Sequence, residues 1–290
     1  MEFIKGHGTG NDFVILPDPD GALALTPEEV AALCDRRRGI GADGVLRVVR
    51  AAKHPEAVGY AERAEWFMDY WNADGSFAEM CGNGVRVFSR YLLDSGLAEP
   101  VEEALPVATR SGVVRVLSGP AVSGRAVVAE GEFAVDLGKP RITGASAATL
   151  GPLTLPGTAV NCGNPHLVCP LPAGIALGGL DLHRAPGFDP EVFPTGVNVE
   201  FTTAGEPVDG ADLHVLMRVY ERGSAETLSC GSGTVAVAAV ALRDAGLAAG
   251  VVAVDVPGGR LTITLDGESC WLAGPAVLVA RGTVDLPLPA

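Results

Sequence analysis

The alternation of apolar and polar positions divides the chain into many short strands and a few helices. Residues 2–16 pattern as a strand, a glycine turn over Gly6–Gly10, then Asn11-Asp12 and a second strand through Phe13–Leu16. Pro27 with Glu28 and Glu29 opens a helix through Cys34, since proline and acids suit a first helical turn. Asp35–Arg38 is a charged helix end, expected to be solvated, and Gly39–Gly44 turns into a strand over Val45–Val49. A strand over Trp66–Trp71 runs into the turn Asn72–Ser76. Short strands follow around 107–109, 113–117 and 125–128, and the small-residue stretch Ser118–Glu132 is a candidate linker. Phe133–Leu137 begins a second half, which ends with a hairpin about Asp266-Gly267 and a last strand near Val277–Val279.

One pattern occurs twice. Glu79-Met80-Cys81-Gly82-Asn83-Gly84 returns 149 residues later as Leu228-Ser229-Cys230-Gly231-Ser232-Gly233. After the first copy Val85, Phe88, Tyr91 and Leu92 recur at helical spacing, and the run ends in Asp94-Ser95-Gly96. After the second, Val235, Ala238, Ala239 and Leu242 do the same, ending in Asp244-Ala245-Gly246. Each unit predicts a thiol and a glycine turn opening a helix that stops at a glycine cap. Gly163-Asn164-Pro165-His166 likewise echoes Gly10-Asn11-Asp12-Phe13, so the chain has the outline of an internal duplication.

Composition narrows the functions available. At 290 residues and 48% hydrophobic, the chain can bury a large core, with two domains expected. A formal charge of −14 argues against a nucleic-acid partner. No apolar run approaches the roughly 18 residues of a membrane span, and the N-terminus lacks signal-peptide character. A soluble cytoplasmic protein is expected. The six cysteines are irregularly spaced, without a C-x-x-C pair, and the histidines are scattered, so neither a disulfide scaffold nor a metal site is expected. Gly39–Gly44 lacks both G-x-G-x-x-G spacing and a Walker lysine, which leaves it a plain turn.

The duplicated thiols carry the chemistry. A cysteine at a helix N-terminus meets the positive end of the dipole and free backbone N–H groups, both of which favour the thiolate. The amides of Gly82, Asn83, Gly231 and Ser232 are placed to hold a carboxylate. Two such halves packed about a pseudo-twofold axis would set one thiolate to remove a proton α to that carboxylate. The opposite thiol would return a proton to the other face. No pyridoxal cofactor is expected, because Lys5, Lys53 and Lys139 lie in no motif.

Nearly end to end, these residues resemble the diaminopimelate epimerase family. The resemblance rests on His7-Gly8-Thr9-Gly10-Asn11-Asp12-Phe13, Asn72–Ser76, both thiol motifs, Gly163–His166, Val197-Asn198 and Glu221-Arg222-Gly223 followed by Glu226-Thr227. It implies an α+β fold of two pseudo-symmetric domains, each a strongly curved, mainly antiparallel sheet wrapped around a central helix, with the active site in the cleft. The expected halves are residues 1–131 with the terminal strand 278–290, and residues 132–277. It implies Cys81 and Cys230 as the acid/base pair, with His166 as partner to Cys81 and Glu221 to Cys230. Substrate binding falls to Asn11, Asn72, Asn164, Asn198, Glu221 and Arg222, together with the amides of Gly82, Asn83, Gly231 and Ser232. It further implies diaminopimelate as substrate, no cofactor and a homodimer. Gly44 replaces a common glutamine, Ser232 a threonine and Tyr220 a tryptophan. A proline or hydroxyproline racemase is the alternative, although that group typically carries histidine where Asn83 stands.

Overall fold

The computed structural model describes residues 1–100, 104–119, 121–123 and 126–285. Parts of the expected linker, at 120 and 124–125, and of the expected terminal strand, at 286–290, lie outside the described residues. In chain order the elements begin β1 (Glu2–Gly8), β2 (Asn11–Pro17), α1 (Pro27–Cys34), β3 (Gly44–Arg50), β4 (Trp66–Asn72) and α2 (Gly82–Asp94). Next come β5 (Leu105–Thr109), β6 (Gly112–Ser118), β7 (Ala121–Ser123), β8 (Ala126–Val128), β9 (Glu132–Asp136), β10 (Arg141–Leu150), β11 (Leu153–Asn161) and β12 (Pro165–Pro170). The series closes with β13 (Asn198–Ala204), β14 (Leu213–Glu221), β15 (Ala225–Thr227), α3 (Gly231–Asp244), β16 (Gly250–Val256), β17 (Gly259–Leu265), β18 (Cys270–Pro275) and β19 (Val277–Thr283).

The class is mixed α+β, and the chain forms two compact units. One comprises 1–120, 129–135 and 275–290; the other comprises 121–128 and 136–274. In the first, neighbouring strands run β19-β1-β2-β3-β4-β5-β6-β9. Only β2–β3 and β4–β5 are parallel. In the second the order is β10-β11-β12-β13-β14-β16-β17-β18, with only β12–β13 and β14–β16 parallel. The succession of parallel and antiparallel pairs is therefore the same in both, and the second parallel crossover of each carries the thiol helix. That agreement supports the duplication.

Each thiol helix is sheathed by its own strands. α2 touches β1 to β6 and β19, and α3 touches β11 to β14, β16 and β17. The helical spacing of Val85, Phe88, Tyr91 and Leu92 predicts one apolar stripe. In the structure Asn83, Arg86, Val87 and Ser89 are buried as well, because strands surround the first two turns of the helix. Full burial of a side chain such as Phe88 contributes about 1.5–3 kcal/mol. Both helices end as the sequence indicates. Gly96 (φ +68°) and Gly246 (φ +74°) adopt the left-handed conformation, and Leu97 and Leu247 N–H close back on Leu92 and Leu242 carbonyls at 2.9 and 2.8 Å.

Two local readings change. The turn after β1 is two residues, Thr9-Gly10, not a glycine stretch from Gly6, because Gly6 and Gly8 pair with Phe13 and Asn11. The stretch 118–132 is not a bare linker: its described residues include the β7–β8 hairpin, and Val127 N–H donates to Thr264 Oγ1 at 3.4 Å. Arg36 is exposed, as expected of this charged helix end, and in addition pairs with Asp12 and Asp43, each at 2.7 Å.

Candidate active site

In the first unit the site grows from the β1–β2 hairpin. Thr9 (φ +55°) and Gly10 (φ +81°) both occupy the left-handed region, as a two-residue type I′ turn requires. This turn delivers Asn11 to the N-terminus of α2. Asn11 Oδ1 accepts from Asn83 Nδ2 at 3.3 Å and from the Cys81 thiol at 3.6 Å, while its Nδ2 donates to Asp43 at 2.8 Å. Cys81 is the extended N-cap of α2, half-buried, and its sulfur accepts the Gly84 N–H at 3.4 Å. Beneath Asn11, Asp12 meets Lys5 Nζ at 2.7 Å as well as Arg36. Burial pushes the Asp12 carboxyl up, but these two cations outweigh it and hold the group well below the usual carboxylate range.

Asn72 closes its own turn, donating from Nδ2 to Ser76 Oγ at 3.0 Å. It lies opposite Gly44 across β3 and β4. A Cβ on Gly44 would stand 2.7 Å from Tyr70 Cε2 and press on the Trp71 carbonyl. No side chain fits there, which accounts for glycine at that position.

In the second unit Cys230 is the N-cap of α3 and is buried, with Ser232 Oγ 3.7 Å from its sulfur. Burial pushes the Cys230 thiol well above 9, and the charges of Glu221 and Glu200 add to the rise. The Gly233 N–H and the Ser232 hydroxyl only partly offset it. His166 on β12 is fully buried between two oxygens. Its Nδ1 lies 2.6 Å from Glu200 Oε1 and its Nε2 lies 3.0 Å from Asn164 Oδ1. Burial pushes the Glu200 carboxyl up; His166 pulls it back, and Glu221 reinforces the rise. Among the described residues Glu200 Oε2 has no hydrogen-bond partner.

Asn198 is the register partner of His166 in the parallel β12–β13 pair, and its Oδ1 accepts the Arg222 N–H at 2.9 Å. The Arg222 guanidinium is exposed and donates to the Thr195 carbonyl at 2.7 Å. Gly196 (φ +84°) makes room for it, since a Cβ there would stand 2.8 Å from Arg222 Cδ. Glu221 Oε1 accepts from Thr227 Oγ1. Asn164, His166, Asn198, Glu221, Arg222, Cys230 and Ser232 thus all belong to this unit, in which β12, β13, β14 and α3 present them.

The remaining cysteines differ in character. Burial pushes the thiols of Cys34, Cys162 and Cys169 up to about 12, and that of Cys270 well above 9; Cys34, Cys169 and Cys270 are small buried apolar groups, whereas Cys162 is half-buried. Among the described residues no group of three or more His, Cys, Asp or Glu side chains is placed to hold a metal ion.

Sequence reasoning missed Arg86 and Glu200. Arg86 on a helix reads as a solvated charge, yet it is fully buried. Glu200 lies between Val199 and Phe201, and strand alternation would turn it outward, but α3 covers that face. A Cβ on Gly233 of α3 would come within 2.8 Å of its Oε1.

The strand order and the paired thiol helices define a duplicated α+β fold, shared with a phenazine biosynthesis protein of the PhzF family from Bacillus anthracis. The two superpose with a TM-score of 0.67 at 18% identity, over 99% of each chain. The family model for diaminopimelate epimerase matches residues 3–140 and 158–285. A diaminopimelate epimerase of Mycolicibacterium smegmatis is 50% identical over 301 residues, covering 98% of this chain and 97% of its own. One from Rhodococcus opacus is 50% identical over 294 residues, again covering 98% and 97%. The chain belongs to the diaminopimelate epimerase family.

Proposed function

We propose that the protein interconverts LL- and meso-diaminopimelate, an isomerase reaction that needs no pyridoxal cofactor. The observation that carries this reading is the repeated thiol, each copy capping the central helix of an equivalent strand frame, in a member of this family. One thiolate takes the proton from the α-carbon: the C–H bond breaks, an S–H bond forms, and the electron pair stays on the carbon beside the carboxylate. The other thiol then gives its proton to the opposite face, becoming thiolate as the new C–H bond forms. The amides of Gly82, Asn83, Gly231 and Ser232 are the donors for the carboxylate, which carries the extra charge of the carbanion. Arg222 is suited to the distal carboxylate as a planar fork. Glu221 and the amide oxygens of Asn11, Asn72, Asn164 and Asn198 are acceptors for the distal ammonium.

The electrostatics support different resting states for the two thiols. Cys230 rests as the thiol, buried among carboxylates, which leaves Cys81 as the thiolate candidate. In this reading 1–131 with 278–290, and 132–277, each contribute one base, with His166 as partner to Cys81 and Glu221 as partner to Cys230. The Asn83 position and the Arg222 set favour diaminopimelate over a cyclic imino acid. No helix among the described residues is long and apolar enough to cross a membrane. We further place the enzyme in the cytoplasm, as a homodimer, on the lysine and cell-wall precursor route.

The test is incubation with LL-diaminopimelate in deuterated water, followed for the meso isomer carrying one α-deuterium. Cys81→Ser and Cys230→Ser should each abolish turnover. Full activity in either variant overturns the two-base assignment.

A further inference from the structure

Arg86 breaks two rules at once. Its side chain is fully buried, and it sits in the second turn of α2, near the positive end of the helix dipole, where a cation is disfavoured. Among the described residues its guanidinium donates only to neutral oxygens: Asn83 Oδ1 at 2.5 Å, Thr9 Oγ1 at 3.0 Å and the Pro275 carbonyl at 3.0 Å. Nε has no partner, and among the described residues no carboxylate is in ion-pair contact with it. A buried charge without a counter-charge is retained only against a considerable cost.

The surroundings are shaped to this arginine. A Cβ on Gly8 would come within 3.3 Å of Nη2 and 3.0 Å of the Asn83 carbonyl, so glycine there leaves space for the guanidinium. Thr9 is β-branched with a positive φ, an uncommon strain, and its hydroxyl is tied to Nη2. The same nitrogen holds Asn83, Asn83 holds Asn11, and Asn11 accepts from the Cys81 thiol.

We propose that Arg86 is a positioning residue for Cys81: through Asn83 it fixes the Thr9–Asn11 turn around the sulfur, and its buried positive charge favours the thiolate against the Asn11 oxygen, which as an acceptor favours the thiol. This rests on the two-base reading. Other charges nearby are largely matched. Asp12 and Asp43 are met by Lys5 and Arg36, His7 Nδ1 accepts the Gly10 N–H at 3.4 Å, and Glu132 acts on Arg86 from β9 without an ion-pair contact. Burial pushes the guanidinium down to about 10, and the charge of Cys81, ahead of that of Glu132, pushes it back up. The two halves therefore differ in sign, with a cation beside Cys81 and carboxylates beside Cys230.

The experiment is the pH dependence of iodoacetamide labelling at Cys81, read by peptide mass spectrometry without substrate, so it stands whether or not the turnover test succeeds. Labelling at Cys230 in the same digest reports the fold, because unfolding exposes it. In the wild type the Cys81 midpoint should lie below the ordinary thiol value of about 8.5; an ordinary midpoint overturns the proposal even if every variant is unstable. Arg86→Gln keeps hydrogen-bond donors but removes the charge, and should raise the midpoint by about one pH unit. Arg86→Lys should lie nearer the wild type than Arg86→Gln. Equal shifts in the two variants, or none in Arg86→Gln, overturn it.

Discussion

Gly84 and Gly233 hold the same place in the repeated motif, the third residue of each thiol helix, yet their surroundings predict opposite effects of one added methyl. At Gly84 the new Cβ would meet Leu46 Cδ2 at 3.4 Å and Cys81 Cβ and Phe13 Cζ at 3.5 Å, ordinary packing distances. Alanine there gains helix propensity, at most about 1 kcal/mol. At Gly233 the Cβ would stand 2.8 Å from Glu200 Oε1 and 3.3 Å from Cys230 Cβ and Sγ. A carboxylate oxygen could normally swing aside, but this one is fixed 2.6 Å from His166 Nδ1, and neither side chain is exposed. Moving it disrupts a buried pair, at a cost of about 2–4 kcal/mol. In urea titrations with unchanged slope, Gly84→Ala should hold or slightly raise the midpoint, and Gly233→Ala should lower it clearly. For a chain of this size each kcal/mol moves the melting temperature by about 2 °C, so a drop of about 4–8 °C is expected for Gly233→Ala. Equal effects of the two substitutions would refute the claim that Glu200 is locked beneath α3.

Three further outcomes follow from the charges. Asp12 is depressed in the folded state, so the stability it contributes is present above the usual carboxylate range and lost as pH falls through it and below; Asp12→Asn should cost about 2 kcal/mol at pH 7 and little in acid, measured by urea unfolding at both pH values. Glu200 is raised, so the stability tied to its proton is present below the ordinary glutamate value and lost as pH rises from there to its folded value. Glu200→Gln should flatten that decline, and an unchanged pH profile of stability would count against it. Arg222→Lys keeps the charge but loses the planar fork; a rise in KM of about tenfold or more with a smaller change in kcat is expected, and an unaltered KM removes Arg222 from the distal grip.

Much of this was legible in the sequence where the signals are local. The thiol helices announce themselves at both ends, by Cys-Gly-x-Gly at the start and by Gly96 and Gly246 at the stop, because caps are written within a few residues. The Asp266-Gly267 turn was equally plain. The orders β2–β3 and β12–β13 were not, since parallel pairing joins strands separated by whole crossovers and leaves no short-range trace. Arg86 and Glu200 escaped for one reason. A charged residue reads as solvent-facing until the fold shows a carboxylate, a turn or a helix lying over it.

Duplication explains the framework but not the chemistry. Equivalent strand orders place a cysteine at the start of an equivalent helix in both units. If nothing else acted, the two thiols would titrate alike, and a reaction that needs one base and one acid would have no preferred resting form. The side chains outside the motif remove that degeneracy. Glu200 and Glu221 act on Cys230 in the direction that protonates it, whereas Cys81 shares its helix with a buried arginine bonded to Asn83, which in turn bonds Asn11, the side chain at the sulfur. The repeat supplies two nearly equal tools, and the residues behind them have diverged, biasing Cys230 toward the thiol.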